Sequence, residues 1–218
     1  MTPIQIQQPD RVQRRAVAAA FIAAPFVLLA PRAFAQSVLQ TARRLTPSQT
    51  EGPFYPVALP KDADFDLLKN GALSYGKGEP AWVTGTVTDL AGKPVAGAQV
   101  EIWQADAAGH YDHPGDGSKI DPAFQGFGKV VVGADGTYRF RTIKPVPYSG
   151  RAPHIHFKVK LGARELLTSQ LYLQGAPGNE PDFLWRNLRD EDDRKALTVP
   201  FVAGGDGLQA TFGIVVRA

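Results

Sequence analysis

Trp82-Val83-Thr84-Gly85-Thr86-Val87-Thr88, followed after a turn by Ala98-Gln99-Val100-Glu101-Ile102-Trp103, is the stretch that decides the fold. In both runs apolar and polar residues alternate, which puts every second side chain on one face of a pleated strand. The intervening residues 89–97 hold Gly92 and Pro94, the punctuation of a turn. Further runs of the same kind lie at 129–132, 137–142, 154–161, 166–173 and 209–217, the second of them just after an Ala134-Asp135-Gly136 turn. Several short strands with Gly and Pro between them and little helical period predict an all-β domain, an antiparallel β-sandwich with long functional loops. A short helix is expected at 64–69, and residues 174–198 read as a solvated excursion whose run Asp190-Glu191-Asp192-Asp193-Arg194-Lys195 is a surface.

Upstream of the strands the chain divides twice. Residues 1–35 read as an export signal peptide. Arg14-Arg15 precedes an apolar run from Ala16 to Ala30, and Ala33-Phe34-Ala35 forms an A-x-A cleavage site before Gln36. The run is too short and too rich in alanine for a stable membrane anchor. The paired arginines fit the twin-arginine route, and a general secretory signal fits nearly as well. The expected location is periplasmic or secreted. Residues 36–80 read as an N-terminal arm and 81–218 as the sandwich, a comfortable length for one domain. The formal net charge of +3 belongs to the leader, which carries Arg11, Arg14, Arg15 and Arg32 against Asp10. The remainder balances, so no nucleic-acid footprint is expected and no general field for steering anions. The composition leaves room for a homo-oligomer.

The chemistry concentrates in Pro147-Tyr148-Ser149-Gly150-Arg151-Ala152-Pro153-His154-Ile155-His156-Phe157. On an extended strand His154 and His156 present their imidazoles to one point. A bare His-x-His pair is a weak signal of metal binding, and a strand histidine satisfied by its neighbours is the commoner case. Here Tyr148 precedes the pair in a turn stiffened by Pro145, Pro147 and Pro153, with Arg151 between. A phenol becomes an anionic oxygen donor at neutral pH only when a strong Lewis acid replaces its proton, which suits ferric iron better than zinc. Cysteine is absent, so thiolate sites, disulfides and nucleophilic-cysteine chemistry are excluded together. The Gly-rich loop 109–127 carries Tyr111, on its own more often a loop aromatic than a ligand, and long loops of this kind are frequently functional.

Four motifs carry a family resemblance. They are Glu51-Gly52-Pro53-Phe54-Tyr55; Val100-Glu101-Ile102-Trp103-Gln104-Ala105-Asp106 with Gly109-His110-Tyr111; Arg141-Thr142-Ile143-Lys144-Pro145; and Arg151-Ala152-Pro153-His154-Ile155-His156-Phe157. In this order and spacing, from about residue 46 to the C-terminus, the chain resembles the intradiol ring-cleavage dioxygenases, such as protocatechuate 3,4-dioxygenase and catechol 1,2-dioxygenase. The resemblance implies one Fe(III) per chain held by Tyr111, Tyr148, His154 and His156, with Tyr148 and His156 as the axial pair. It implies Arg151 over a bound ring, Gln170 near the same pocket, and Pro53, Phe54 and Tyr55 passing close to the substrate, a small catechol cleaved with O2. His110 and His113 match no ligand position. One departure stands out: only two residues separate Tyr148 from Arg151, fewer than in the well-known members.

Two other classes compete. A non-catalytic sandwich module of secreted proteins accounts for residues 82–103 but not for the cluster of Tyr148, Arg151, His154 and His156. A cupin-like His-x-His metalloenzyme wants a carboxylate a few residues further on, and the first after His156 is Glu165.

Overall fold

A computed structural model describes residues 43–117 and 119–218. The export leader and the first residues of the arm therefore lie outside the described residues. A small hairpin, β1 (Lys69–Asn70) with β2 (Leu73–Ser74), precedes β3 (Pro80–Thr88) and β4 (Gln99–Trp103). There follow β5 (Phe127–Val131), β6 (Thr137–Ile143), β7 (His154–Leu161) and β8 (Arg164–Leu173). Two short helices, α1 (Phe183–Asn187) and α2 (Glu191–Leu197), lead to β9 (Thr198–Val199), β10 (Val202–Gly204), β11 (Gly207–Thr211) and β12 (Ile214–Val215).

The long strands form two sheets. In one, β3 pairs antiparallel with β6 along one edge and parallel with β11 and β12 along the other. The second runs β5-β4-β7-β8-β9. The alternation in the sequence is spent on the space between them: Val83, Val87 and Phe140 of the first sheet and Val100, Ile102, Ile155, Phe157, Val159 and Leu171 of the second are fully buried in one core. Burial of this kind is the main stabilising term of the fold. The sandwich is thus as expected, antiparallel in its long pairings, with short parallel additions at β9, β11 and β12.

Three local expectations differ. Residues 64–69 form no helix, because the carboxylates of Asp64 and Asp66 accept the N–H groups of Asp66 and Leu68, closing local turns that compete with helical bonding. The last strand is interrupted at Phe212-Gly213. There the Phe212 carbonyl lies over Gly85, in the space a β-carbon would need, and accepts the Tyr138 hydroxyl. Residues 174–198 carry both helices. Their charged run is a surface, as read, where Asp190, Asp192 and Asp193 bind Arg44, but Asp182 just before α1 is fully buried. Among the described residues no helix is long and apolar enough to cross a membrane.

Candidate functional site

Strand β7 is buried on both faces. Ile155, Phe157 and Val159 enter the core, so His154, His156 and Lys158 must face outward, and the arm covers them there. Gln49 N donates to Thr168 O at 2.9 Å, Gln170 Nε2 to Thr50 O at 3.2 Å, and the Tyr172 hydroxyl to Gln49 Oε1 at 2.9 Å. At Gly52 the arm passes so close that a β-carbon would meet His156 Cε1 at 3.4 Å. Cross-strand register puts Trp103 and Gln170 on either side of His156 and Tyr172 beside His154.

The two imidazoles converge. His154 Nδ1 lies 2.6 Å from Ala152 O and must donate its proton to it, which leaves Nε2 as a lone pair. That atom is 3.1 Å from His156 Nε2 and 3.5 Å from the Tyr111 hydroxyl. Trp103 stacks flat on the His156 ring, centroids 4.7 Å apart and planes within 8°. Tyr148 closes the cluster, its ring 5.0 Å from that of Tyr111 and 5.5 Å from that of His154. All four expected ligand residues therefore meet in one place, brought from the loop after β4, the turn before β7, and β7 itself.

The turn that delivers Tyr148 is tight. Ser149 and Gly150 both have positive φ, 43° and 76°, and Arg151 N donates to Tyr148 O at 2.7 Å. This is the two-residue connection that matches strand twist, with glycine at a position where a side chain would be strained. The short spacing noted in the sequence is thus a complete hairpin turn, open to solvent at Ser149 and Gly150.

The site holds its protons on oxygen. Burial pushes His154 down to about 3, and the Arg151 charge acts the same way; burial, His154 and Arg151 hold His156 well below the usual imidazole range. Burial and then Tyr148 push the Tyr111 phenol well up, and burial raises Tyr148 even against the pull of Arg151. Near neutrality the cluster is two neutral imidazoles and two phenols. His154 has already committed its proton to Ala152, and His156 Nδ1 has no partner. Whichever nitrogen of His156 carries the proton, the protein alone leaves a buried polar atom unsatisfied, a cost of about 1–3 kcal/mol. With the His156 proton on Nδ1 the two Nε2 lone pairs face each other; a cation there would relieve that repulsion, and a hard, highly charged one would also replace the phenol protons. Among the described residues no three His, Cys, Asp or Glu side chains form a metal-binding group, and the side-chain oxygen that reaches His154 Nε2 is the Tyr111 phenol.

Arg151 borders this cluster with its side chain only 11% exposed. Its Nη2 donates to Gln170 Oε1 at 2.7 Å, and its Nε to Asp182 Oδ2 at 2.7 Å. Burial works against the Asp182 carboxylate, but bonds from Ala152 N, Arg151 and Trp185 N outweigh it and hold the group below its ordinary range. Phe54 stacks on Tyr111 at 4.9 Å and lies 6.0 Å from Tyr148, facing the cluster. Tyr55 turns the other way. It packs edge-on against Trp103 and Phe127, and its hydroxyl donates to Glu101 Oε2 at 2.9 Å, with Lys158 over its face. Pro53 is exposed. The His113 ring accepts from Gly115 N, and the His110 ring lies 3.6 Å from Asp116; neither imidazole is hydrogen-bonded to the four side chains.

Sequence reasoning missed Asp182 and did not single out Trp103 or Tyr172. Trp103 could have been found from register, since it alternates with Glu101 on the face opposite the core. Asp182 carried one signal, a good helix-capping residue before Phe183-Leu184-Trp185.

Residues 50–216 match the sequence profile of a family described as dioxygenase. The chain is 39% identical over 142 residues to 6-chlorohydroxyquinol 1,2-dioxygenase of Cupriavidus pinatubonensis, covering 57% of this chain and 49% of that protein. It is 44% identical over 128 residues to the protocatechuate 3,4-dioxygenase beta chain of Burkholderia cepacia, covering 52% and 53%. The chain spans about half the length of the curated relatives it matches. Among solved structures, the dioxygenase domain of a dioxygenase carbohydrate-binding fusion from Streptomyces sp. SirexAA-E superposes with TM-score 0.64 at 35% identity, covering 80% of this chain and 99% of that one.

Proposed function

Because this chain belongs to the intradiol dioxygenase family, we propose that it opens catechol-type rings between the two hydroxyl-bearing carbons, using O2 and giving muconate-type diacids. Both atoms of O2 end in the product, so the reaction needs no outside reductant. The observation that carries the reading is the convergence of His154 and His156 Nε2 at 3.1 Å with the Tyr111 hydroxyl and the Tyr148 ring beside them.

Tyr111, Tyr148, His154 and His156 would hold one ferric ion per chain. When bound, Fe(III) supplies a Lewis acid that favours the deprotonated forms of phenols and catechols. The protein's own groups do the rest. Tyr148 Oη, deprotonated in the loaded site, is the atom that takes a proton from an arriving catechol; it belongs to the less buried of the two phenols, at the open turn. Arg151 places a fixed positive charge beside the ring, where negative charge grows as the ring is attacked, and its planar fork keeps a direction that lysine would not. Gln170 orients that fork through Oε1. Phe54 and the arm shield the imidazoles from water, which strengthens every charge interaction inside. Export of the chain, with cleavage after Ala35, is part of the same reading and would place the activity outside the cytoplasm.

Metal analysis and visible spectroscopy of protein produced with iron, followed by oxygen uptake on catechol, protocatechuate, hydroxyquinol and chlorocatechols, test the proposal. One iron per chain, a visible tyrosinate band and ring-opened diacids are expected. Stoichiometric zinc, no visible band and no ring opening would refute it.

A further inference from the structure

We propose that Asp182 is the positioning residue for Arg151, so that the segment between β8 and β9, and not the strands alone, sets the direction of the charge at the reacting ring. The inference rests on the catalytic reading of Arg151 given above. It begins from one carboxylate that is 0% exposed and whose two oxygens serve different parts of the molecule.

Oδ1 faces α1. It accepts Leu184 N at 2.9 Å and Trp185 N at 3.0 Å, closing the first turn of the helix. Oδ2 faces the site. It accepts Arg151 Nε at 2.7 Å and Ala152 N at 2.8 Å. The second pair is the informative one. Ala152 is the residue whose carbonyl receives the His154 Nδ1 proton, so Oδ2 holds both the guanidinium and the peptide N–H that directly follows its attachment point. A guanidinium joined to the chain by a flexible stem is directed only if at least two of its nitrogens are tied. Here Nε is tied by Asp182 and Nη2 by Gln170 Oε1, while Nη1 has no hydrogen-bond partner among the described residues. The fork's remaining hydrogen-bonding capacity is therefore at Nη1. Helix capping alone would explain Oδ1 and leave Oδ2 without a purpose; full burial of an ionised oxygen is retained only where its partners repay the lost hydration.

The division between the two oxygens makes the idea separable from stability. Asp182→Asn keeps one oxygen for Leu184 N and Trp185 N, since asparagine caps helices about as well as aspartate. It puts an NH2 group against the Arg151 and Ala152 donors. Asp182→Ser likewise keeps a capping oxygen and removes the second acceptor, and serves if the asparagine variant does not fold.

Two measurements are made on each variant and on Arg151→Gln. In metal-free, nitrogen-labelled protein, the Arg151 Nε–H resonance, assigned by its loss in Arg151→Gln, is expected to exchange slowly in the parent and to move to the position of free arginines in Asp182→Asn. In iron-loaded protein, kcat on catechol is expected to fall about tenfold to a hundredfold while catechol still shifts the visible band at similar concentrations. Asp182→Asn added to Arg151→Gln should then cost nothing further in kcat. An unchanged Arg151 resonance, a parental kcat, or a loss that multiplies in full with Arg151→Gln would overturn the assignment. If the parent protein opens no catechol but the resonance behaves as described, the proposed function fails and the positioning stands.

Discussion

The two buried histidines make the metal-free protein sensitive to mild acid in a window where carboxylates are not yet the cause. His154 is 2% exposed and titrates at about 3 in the fold, against 6.5 for an ordinary histidine. A group with a depressed folded pKa that is neutral when deprotonated gives the unfolded chain the extra proton first, so stability falls as pH drops below 6.5. Far below that value each such histidine costs about 1.4 kcal/mol per pH unit. Integrated from about pH 6.5 to about pH 5, His154 alone removes roughly 2 kcal/mol. His156 is held down for the same reason and adds to the same slope. The buried Asp182 carboxylate is likewise held below its ordinary range, but its contribution is lost at lower pH, only as pH falls below the ordinary carboxylate range. Urea denaturation of metal-free protein at closely spaced pH values reads the slope directly. His154→Leu/His156→Leu is the control, because His110 and His113 remain in it and cancel in the difference. A double variant with the parental slope over this window would refute the argument that these imidazoles are buried and neutral.

Gly85→Ala should be among the most damaging single substitutions in the first sheet. Its β-carbon would overlap the Phe212 carbonyl and reach 2.7 Å from Tyr138 Oη, and a loss of about 3 kcal/mol in unfolding free energy is expected from denaturant titration. Tyr148→Phe should retain much of the iron yet bind catechol more slowly in stopped-flow experiments, whereas His154→Ala or His156→Ala should lose the metal in elemental analysis; equal iron loss in all three contradicts the separate roles. Mass spectrometry of the exported protein should give Gln36 as its first residue, and active native protein that keeps Met1 would contradict the leader.

How much was legible followed the range of the interactions. The alternation of β3, β4, β6 and β7 is a local signal with a local cause, so the sandwich could be read from it. His154 and His156 were legible because a strand fixes the direction of i and i+2 without help from the rest of the chain. The helix expected at 64–69 failed because Leu67 and Leu68, both buried, look like a helical face, while the turns made by Asp64 and Asp66 are decided by side-chain geometry that periodicity does not carry. Asp182 was invisible for a different reason. A single polar residue in a charged excursion gives no sign that the chain will fold it back onto Arg151, 31 positions earlier. Tyr55 shows the same limit: its neighbour Phe54 faces the cluster, while the buried Glu101, with Trp103, Phe127 and Lys158, holds Tyr55 the other way.

The arm that roofs the histidines has a further consequence, for the order of assembly. Residues 47–50 are seated by Thr168, Ser169, Gln170 and Tyr172, partners 120 to 123 positions later in the chain. Closing so large a loop is entropically unfavourable until β8 already exists on β7, so the earliest described residues to be synthesised must be among the last to find their places. Until then the outer face of the second sheet, with both imidazoles on it, stands open to solvent. The proposed ferric ion would therefore have an interval in which the imidazoles are accessible and the roof is not yet on, and seating the arm would turn an ion held at a surface into one that is trapped.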